Sequence, residues 1–196
     1  DAGNVATSLA AEVEALRSNT ARERTAEWTE GFQQKYAAYL IERDANADAV
    51  TGDIIQPAQV YKAMRETFPE DAMVTLDAGT LCLQATDALN YHQPPALFSP
   101  LDFGLVGFSY ACGLGIKAAC PDRTVISLMG DGGFGMTTSE IGTAVSHRLN
   151  TVAVVMNNGC WGAEKAYQKD FFGQRYIGAD VPNPPYDKIA ELWGAK

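Results

Sequence analysis

Histidine is scarce in this sequence of 196 residues: only His92 and His147 occur, and neither lies near a cysteine pair. That disfavours a Cys/His zinc site. There is no nucleophile elbow, so a Ser-His-Asp triad has poor support. The four cysteines, Cys82, Cys112, Cys120 and Cys160, show no CxxC spacing. The chain is too large to need disulfide staples, and they read as buried or half-buried thiols of a cytoplasmic protein. Basic charge is in deficit, with 15 Lys and Arg against 24 Asp and Glu and a net charge of −9. A protein that tracks phosphates along nucleic acid shows the opposite balance, and an anionic membrane surface is disfavoured for the same reason. No apolar run approaches the roughly 18 residues that would span a bilayer. The first residue is Asp1 rather than Met, with no signal-peptide pattern after it, so the chain is expected to be a piece of something longer.

What is present is an ordinary globular composition, 46% apolar and 20% charged, with room for one full domain plus an extension. The extension comes first. Val5, Leu9, Val13 and Leu16 have helical spacing, predicting a helix from Val5 to Arg17. A second helix is predicted over about Thr25–Arg43, with Trp28, Phe32, Tyr36 and Leu40 on one face as core or docking surface. The polar stretch Asp44–Asp53 reads as a linker, placing a helical tail at residues 1–53 and a second domain at 54–196.

In that second domain the texture changes to alternating strands and helices. Pro57 stands where a first helical residue would, and Pro69 ends that helix. Met73–Leu76, Leu97–Ser99, Thr124–Met129 and Thr151–Met156 read as strands, the last two as buried parallel ones. Helices are predicted at Leu81–Leu89, at Gly107–Cys120 packed closely on the sheet, and at Thr138–Arg148 with Thr138 or Ser139 as N-cap. A last helix is predicted at Tyr186–Trp193. The class is α/β: a doubly wound parallel sheet with helices on both faces.

Ligands of such sheets sit at the carboxyl ends of the strands. Two of those ends carry unusual residues: GDGGFG (Gly130–Gly135) and NNG (Asn157–Gly159). A right-handed crossover puts them on one edge. Glycines let backbone N–H groups approach a phosphate, but Asp131 lies in the middle of the loop and no Lys or Arg offsets it. Two anions that close repel by about 4 kcal/mol at an effective dielectric of 20. A divalent cation turns the repulsion into a bridge, with one oxygen from Asp131 and another from the Asn158 amide. The pair of strand ends therefore reads as a Mg2+–diphosphate site. Two rivals stay open. GDGGFG also matches the GxGxxG dinucleotide fingerprint, although Asn157 and Asn158 stand where that motif needs an acid. It also fits a glycine-rich turn without a ligand. A Walker loop is excluded by the lack of GK[ST].

GDG, 24 residues, then NN resembles the thiamine-diphosphate signature. The chain is similar to the C-terminal, diphosphate-binding domain of the acetolactate synthase and pyruvate decarboxylase superfamily. Residues 54–196 are most similar to its sulfoacetaldehyde acetyltransferase branch, through FGLVGFSY (Phe103–Tyr110), GIKAACPDR (Gly115–Arg123), WGAEK (Trp161–Lys165), Gln168, Phe171 and Phe172. Ala166 and Tyr167 depart from that branch. The resemblance implies Mg2+ held by Asp131, the Asn158 side-chain oxygen and the backbone carbonyl of Cys160. It implies cofactor contacts from Gly79 and Thr80 on the diphosphate side, and from Gly130, Gly132, Gly133, Phe134 and Asn158. Gly104 would accept from the aminopyrimidine, and Val106 would be the apolar wedge that bends the cofactor.

Glu164, six residues after Asn158, would be the proton-transferring acid; the plain alternative is an exposed helix acid paired with Lys165 or Lys169. Lys165 reads as a solvated lysine or one that faces an anionic substrate. The implied activity is acetyl transfer from sulfoacetaldehyde to phosphate, releasing sulfite. Acetolactate-synthase-like condensation and 2-oxo acid decarboxylation share the same cofactor residues. A dinucleotide-dependent oxidoreductase and a non-catalytic interaction domain are the more distant alternatives. The implied partner is the pyrimidine domain of a neighbouring subunit, which brings the activating glutamate, in a homodimer or homotetramer. By this resemblance about one third of a three-domain chain is present, its closing strand and helix lie beyond Lys196, and the piece alone is expected to be inactive.

Overall fold

The computed structural model describes residues 2–16 and 19–196. The chain divides into two compact units, Asp1–Thr51 and Gly52–Lys196.

The first unit is helical. Helix α1 spans Ala2–Leu16; Arg17, the predicted end of the first helix, and Asp1 lie outside the described residues. Helix α2 spans Asn19–Asp48 and runs five residues into the stretch read as a linker. The reason is local: DANAD contains no glycine or proline, and the first breaker is Gly52. Trp28, Phe32 and Tyr36 form a stacked row along α2 with centroids 5.9 and 6.3 Å apart, continued by Tyr39 rather than Leu40. Among the described residues, no helix is long and apolar enough to cross a membrane.

The second unit is built on four parallel strands: β1 (Met73–Leu76), β2 (Leu97–Phe98), β3 (Val125–Gly130) and β4 (Val152–Met156), in the order β2-β1-β3-β4. Helix α3 (Pro57–Thr67) starts at Pro57, where the Gln56 N–H donates to Gln59 Oε1 at 2.9 Å. It stops before Pro69 because the residue preceding a proline is pushed to extended backbone, as Phe68 is. Helix α3 and helix α4 (Thr80–Ala88) pack on the face made by Val74, Leu76, Ile126 and Leu128. Helix α5 (Phe108–Ala119), α7 (Glu140–His147) and α9 (Tyr186–Trp193) cover the other face around Met129 and Phe134. Each of these fully buried apolar side chains contributes roughly 1.5–3 kcal/mol.

Helix α5 lies tight on the sheet for two reasons. A Cβ at Gly113 would fall on Ser127 Oγ. Beneath its first turn, Thr75 Oγ1 donates to the Ser109 carbonyl at 2.9 Å and Ser109 Oγ to the Thr75 carbonyl at 2.9 Å, all fully buried. These bonds satisfy polar groups that burial would otherwise penalise.

Two further expectations need correction. Strand β4 is not buried: Val152 and Ala153 are exposed and Val154–Met156 half-buried. It is the last strand in the order and, among the described residues, pairs with β3 alone. Ser139 is the N-cap of α7, but its backbone is helical and its side chain makes no capping bond, because another helix runs directly into that position.

Candidate functional site

Three strand ends stand side by side. Leu76, the last residue of β1, pairs with Leu128, and the Asp77 N–H donates to the Leu128 carbonyl at 3.1 Å. Gly130, the last of β3, pairs with Met156, the last of β4. From β1 the chain leaves through α4 towards β2; from β3 it leaves towards β4 on the opposite side. The crevice between β1 and β3 is thus the switch point of the sheet, where ligands of this architecture bind.

Asp77 organises the β1 side. It is 1% exposed, and its carboxylate accepts from the N–H groups of Ala78 (2.9 Å), Gly107 (2.9 and 3.1 Å) and Phe108 (3.2 Å). It therefore holds the first turn of α5, whose N-cap Gly107 has a left-handed φ of 87° that favours glycine. Burial pushes its carboxyl above the usual range, against the lowering by the three amides.

The β3 side is not the expected loop. Asp131–Thr137 is a helix, α6, beginning directly after Gly130. Glycine is a poor helix former, so packing must decide the outcome. A Cβ at Gly132 would fall on the Trp161 indole, one at Gly133 on the Asp77 carboxylate, and one at Gly135 2.8 Å from the Tyr186 hydroxyl. The motif is a helix start that three side chains approach closely. The first-turn amides of α6 have no acceptor within the helix, which suits an anion.

Asp131 is 2% exposed. Its Oδ2 accepts from Asn183 Nδ2 at 2.5 Å, and its Oδ1 only weakly from the Asn158 N–H at 3.4 Å. Asn183 Nδ2 also donates to Asn157 Oδ1 at 3.0 Å. Asn158 Oδ1 accepts from the Cys160 N–H at 3.1 Å, closing a tight turn. Burial pushes the Tyr186 hydroxyl upward, and Asp131 adds to the shift.

A cleft of about 260 Å³ opens over these strand ends. Gly79 and Thr80 at the start of α4, with Gly104 and Val106, form one part of its lining. Gly130, Asp131, Gly132 and Gly133 form another. Asn158, Cys160, Trp161 and Glu164 line a third part, and Asp77 lies at its base beside β1. Phe134, expected among the cofactor contacts, is the exception. Its ring is buried in the core, edge-on to Tyr110 at 5.4 Å and Tyr186 at 5.1 Å. Among the described lining residues no side chain is basic, while Asp77, Asp131 and Glu164 are acidic. A diphosphate in this cleft needs a cation to offset Asp131. Asp131, the Asn158 oxygen and the Cys160 carbonyl can supply oxygen ligands to it.

Glu164 is exposed in the first turn of helix α8 (Gly162–Phe171) and makes no ion pair among the described residues. Lys165 neither pairs with it nor stands free. It bonds Asp180 at 2.6 Å, over the Tyr176 ring at 5.6 Å, and the Asp180 hydrogen bond holds its ammonium above the ordinary range. Gln168 bonds the Ile177 backbone in both directions, at 3.0 and 2.7 Å. Phe171 joins Leu83, Leu101 and Tyr167 around an adjoining groove of about 360 Å³ that shares Gly79, Thr80 and Gly104 with the cleft. Asn183, Tyr186 and the capping role of Asp77 had no local signal in the sequence.

Residues 77–196 match the family model described as thiamine pyrophosphate enzyme, C-terminal TPP binding domain. The sulfoacetaldehyde acetyltransferase of Alcaligenes xylosoxydans xylosoxydans is 32% identical over 93% of this chain, which covers 31% of that protein. The acetolactate synthase large subunit of Parasynechococcus marenigrum is 32% identical over 96% of this chain and 29% of its own length. In structure, the thiamine diphosphate-dependent 4-hydroxybenzoylformate decarboxylase of Rhodococcus jostii superposes with a TM-score of 0.68 at 27% identity, over 74% of this chain and 28% of that one. The chain thus spans about a third of the length of each.

Proposed function

Because the chain belongs to the thiamine pyrophosphate enzymes and carries their C-terminal TPP binding domain, we propose that its cleft takes thiamine diphosphate through a Mg2+ ion. The observation that carries the metal is the buried Asp131 carboxylate in a cleft with no basic side chain among its described lining residues. The residues fit the group. Gly132 and Gly133 at the start of α6 line the cleft with their backbone, and Asp131 Oδ1 has only a long hydrogen bond to give up. Gly104 and Val106 line the part of the cleft that would meet the aminopyrimidine. When bound, the thiazolium supplies a nucleophilic carbon and an electron sink for breaking the bond beside a carbonyl. The protein's part is to hold, orient and exclude water. Glu164, exposed and unpaired at the cleft, is the group placed to give and take a proton at its carboxylate.

For the whole protein we propose sulfoacetaldehyde as substrate: sulfite leaves, and the acetyl group passes to phosphate as acetyl phosphate. The acetyltransferase relatives at 32% identity support this reading. The apolar rim of exposed Leu83, Leu101 and Phe171 supports closure of the cleft by the pyrimidine domain of a neighbouring subunit, in a homodimer or homotetramer in the cytoplasm. Acetolactate synthesis is the second reading, favoured by an equal identity of 32% to a synthase subunit. We expect phosphate-dependent release of sulfite from sulfoacetaldehyde, read by a thiol-exchange dye, with no acetolactate formed from pyruvate. Acetolactate without sulfite release reverses the assignment.

A further inference from the structure

The segment between α8 and α9 returns across the site. The Trp161 N–H donates to the Ala179 carbonyl at 2.7 Å and the Val181 N–H to the Gly159 carbonyl at 2.8 Å. These two bonds lash the returning chain to the loop that carries Asn157 and Asn158. Two residues on, Asn183 precedes Pro184 and Pro185, which stiffen the backbone into α9.

Asn183 is saturated in one orientation. Its Nδ2 serves Asp131 Oδ2 at 2.5 Å and Asn157 Oδ1 at 3.0 Å. Its Oδ1 lies 3.0 Å from the Tyr186 hydroxyl, which is itself 2.9 Å from the Asp131 carbonyl. The Tyr186 ring is fixed edge-on to Phe134 of α6. One amide therefore ties the ends of β3 and β4 together and occupies one carboxylate oxygen. The other, Oδ1, holds only the 3.4 Å contact.

We propose that Asn183 is a positioning residue. It clamps Asp131 Oδ2 and so presents Oδ1 to the cation, with Tyr186 fixing the amide. A neutral donor is the right choice here, because a lysine would compete with the cation for the same carboxylate. This rests on the Mg2+–diphosphate reading above. Residues that orient a metal ligand typically contribute about 10–100-fold to metal affinity.

The test titrates the protein with Mg2+ at fixed thiamine diphosphate, following intrinsic tryptophan fluorescence, to which Trp161 at the cleft contributes. Asn183→Ala should raise the Mg2+ concentration for half-saturation by at least about 10-fold. Cofactor affinity at saturating Mg2+ should stay within about twofold, because the clamp acts on the ligand oxygen and not on the phosphates. Asn183→Gln, which keeps the donor on a longer arm, should recover part of the loss. Tyr186→Phe removes only the hydroxyl and should shift half-saturation the same way by a smaller factor, which keeps the test open should Asn183→Ala fail to fold. An unchanged Mg2+ requirement in folded Asn183→Ala, or in Tyr186→Phe where the first does not fold, overturns the clamp alone. Absence of Mg2+-dependent cofactor binding in the wild type overturns the clamp together with the reading beneath it.

Discussion

Asp131→Asn lowers the affinity for thiamine diphosphate in Mg2+ by at least about 100-fold, beyond what loss of a mere orienting group costs. The substitution keeps the shape but deletes the charge, in a cleft whose described lining holds no basic side chain to replace it. It also sets an amide against the Asn183 amide that now donates to Oδ2 at 2.5 Å. Thermal unfolding reads both effects. In EDTA the variant should melt near the wild type, because its amide oxygen can still accept from Asn183 Nδ2. With cofactor at 100 times its Kd, the wild type gains about 2.7 kcal/mol from binding, and the variant should gain at most about 0.4 kcal/mol. Full retention of that gain would remove Asp131 from the metal site.

Gly133→Ala should cost the fold about 3 kcal/mol, more than a typical surface change, through a single methyl group. The added Cβ lands on the carboxylate of Asp77. That carboxylate cannot move aside without leaving the amides of Gly107 and Phe108, which begin α5. For a chain of this length the melting temperature should fall by about 6–12 °C. Gly115→Ala is the matched control. It lies in α5 with nothing within 4 Å of the added methyl, so it should be neutral or stabilise by up to about 1 kcal/mol. Equal melting of the two variants would mean that the Asp77–Gly133 contact does not hold these elements.

The β-branched runs made β1, β3 and β4 legible, and Pro57, Pro69 and the αL residue at Arg148 bounded helices where sequence patterns pointed. The motif residues were legible as a group. Asp131, Asn158, Cys160, Gly79 and Gly104, scattered over about eighty positions, line one cleft. Local propensity failed where distant packing decided. Three glycines argued for a loop at residues 131–135, yet Trp161, Asp77 and Tyr186 close around them as a helix. The resemblance implies a cofactor contact from Phe134, but the 3.6-residue turn of α6 points its ring into the core. Asn183 and Tyr186 were invisible because their partner Asp131 lies 52 and 55 residues away, and no local period encodes such a pairing. The polar stretch with Gly52 reads as a linker from Asp44, yet α2 continues through DANAD, which holds no glycine or proline to stop it.

The central claim is that this cleft binds a diphosphate only through a divalent cation. Calorimetric titration of the protein with thiamine diphosphate, in Mg2+ and again in EDTA, with NAD as the competing ligand, tests it most directly. The account predicts saturable one-to-one binding of thiamine diphosphate in Mg2+, its loss in EDTA, and no saturable heat from NAD in either. Binding of equal affinity in EDTA, or binding of NAD in place of thiamine diphosphate, would contradict it.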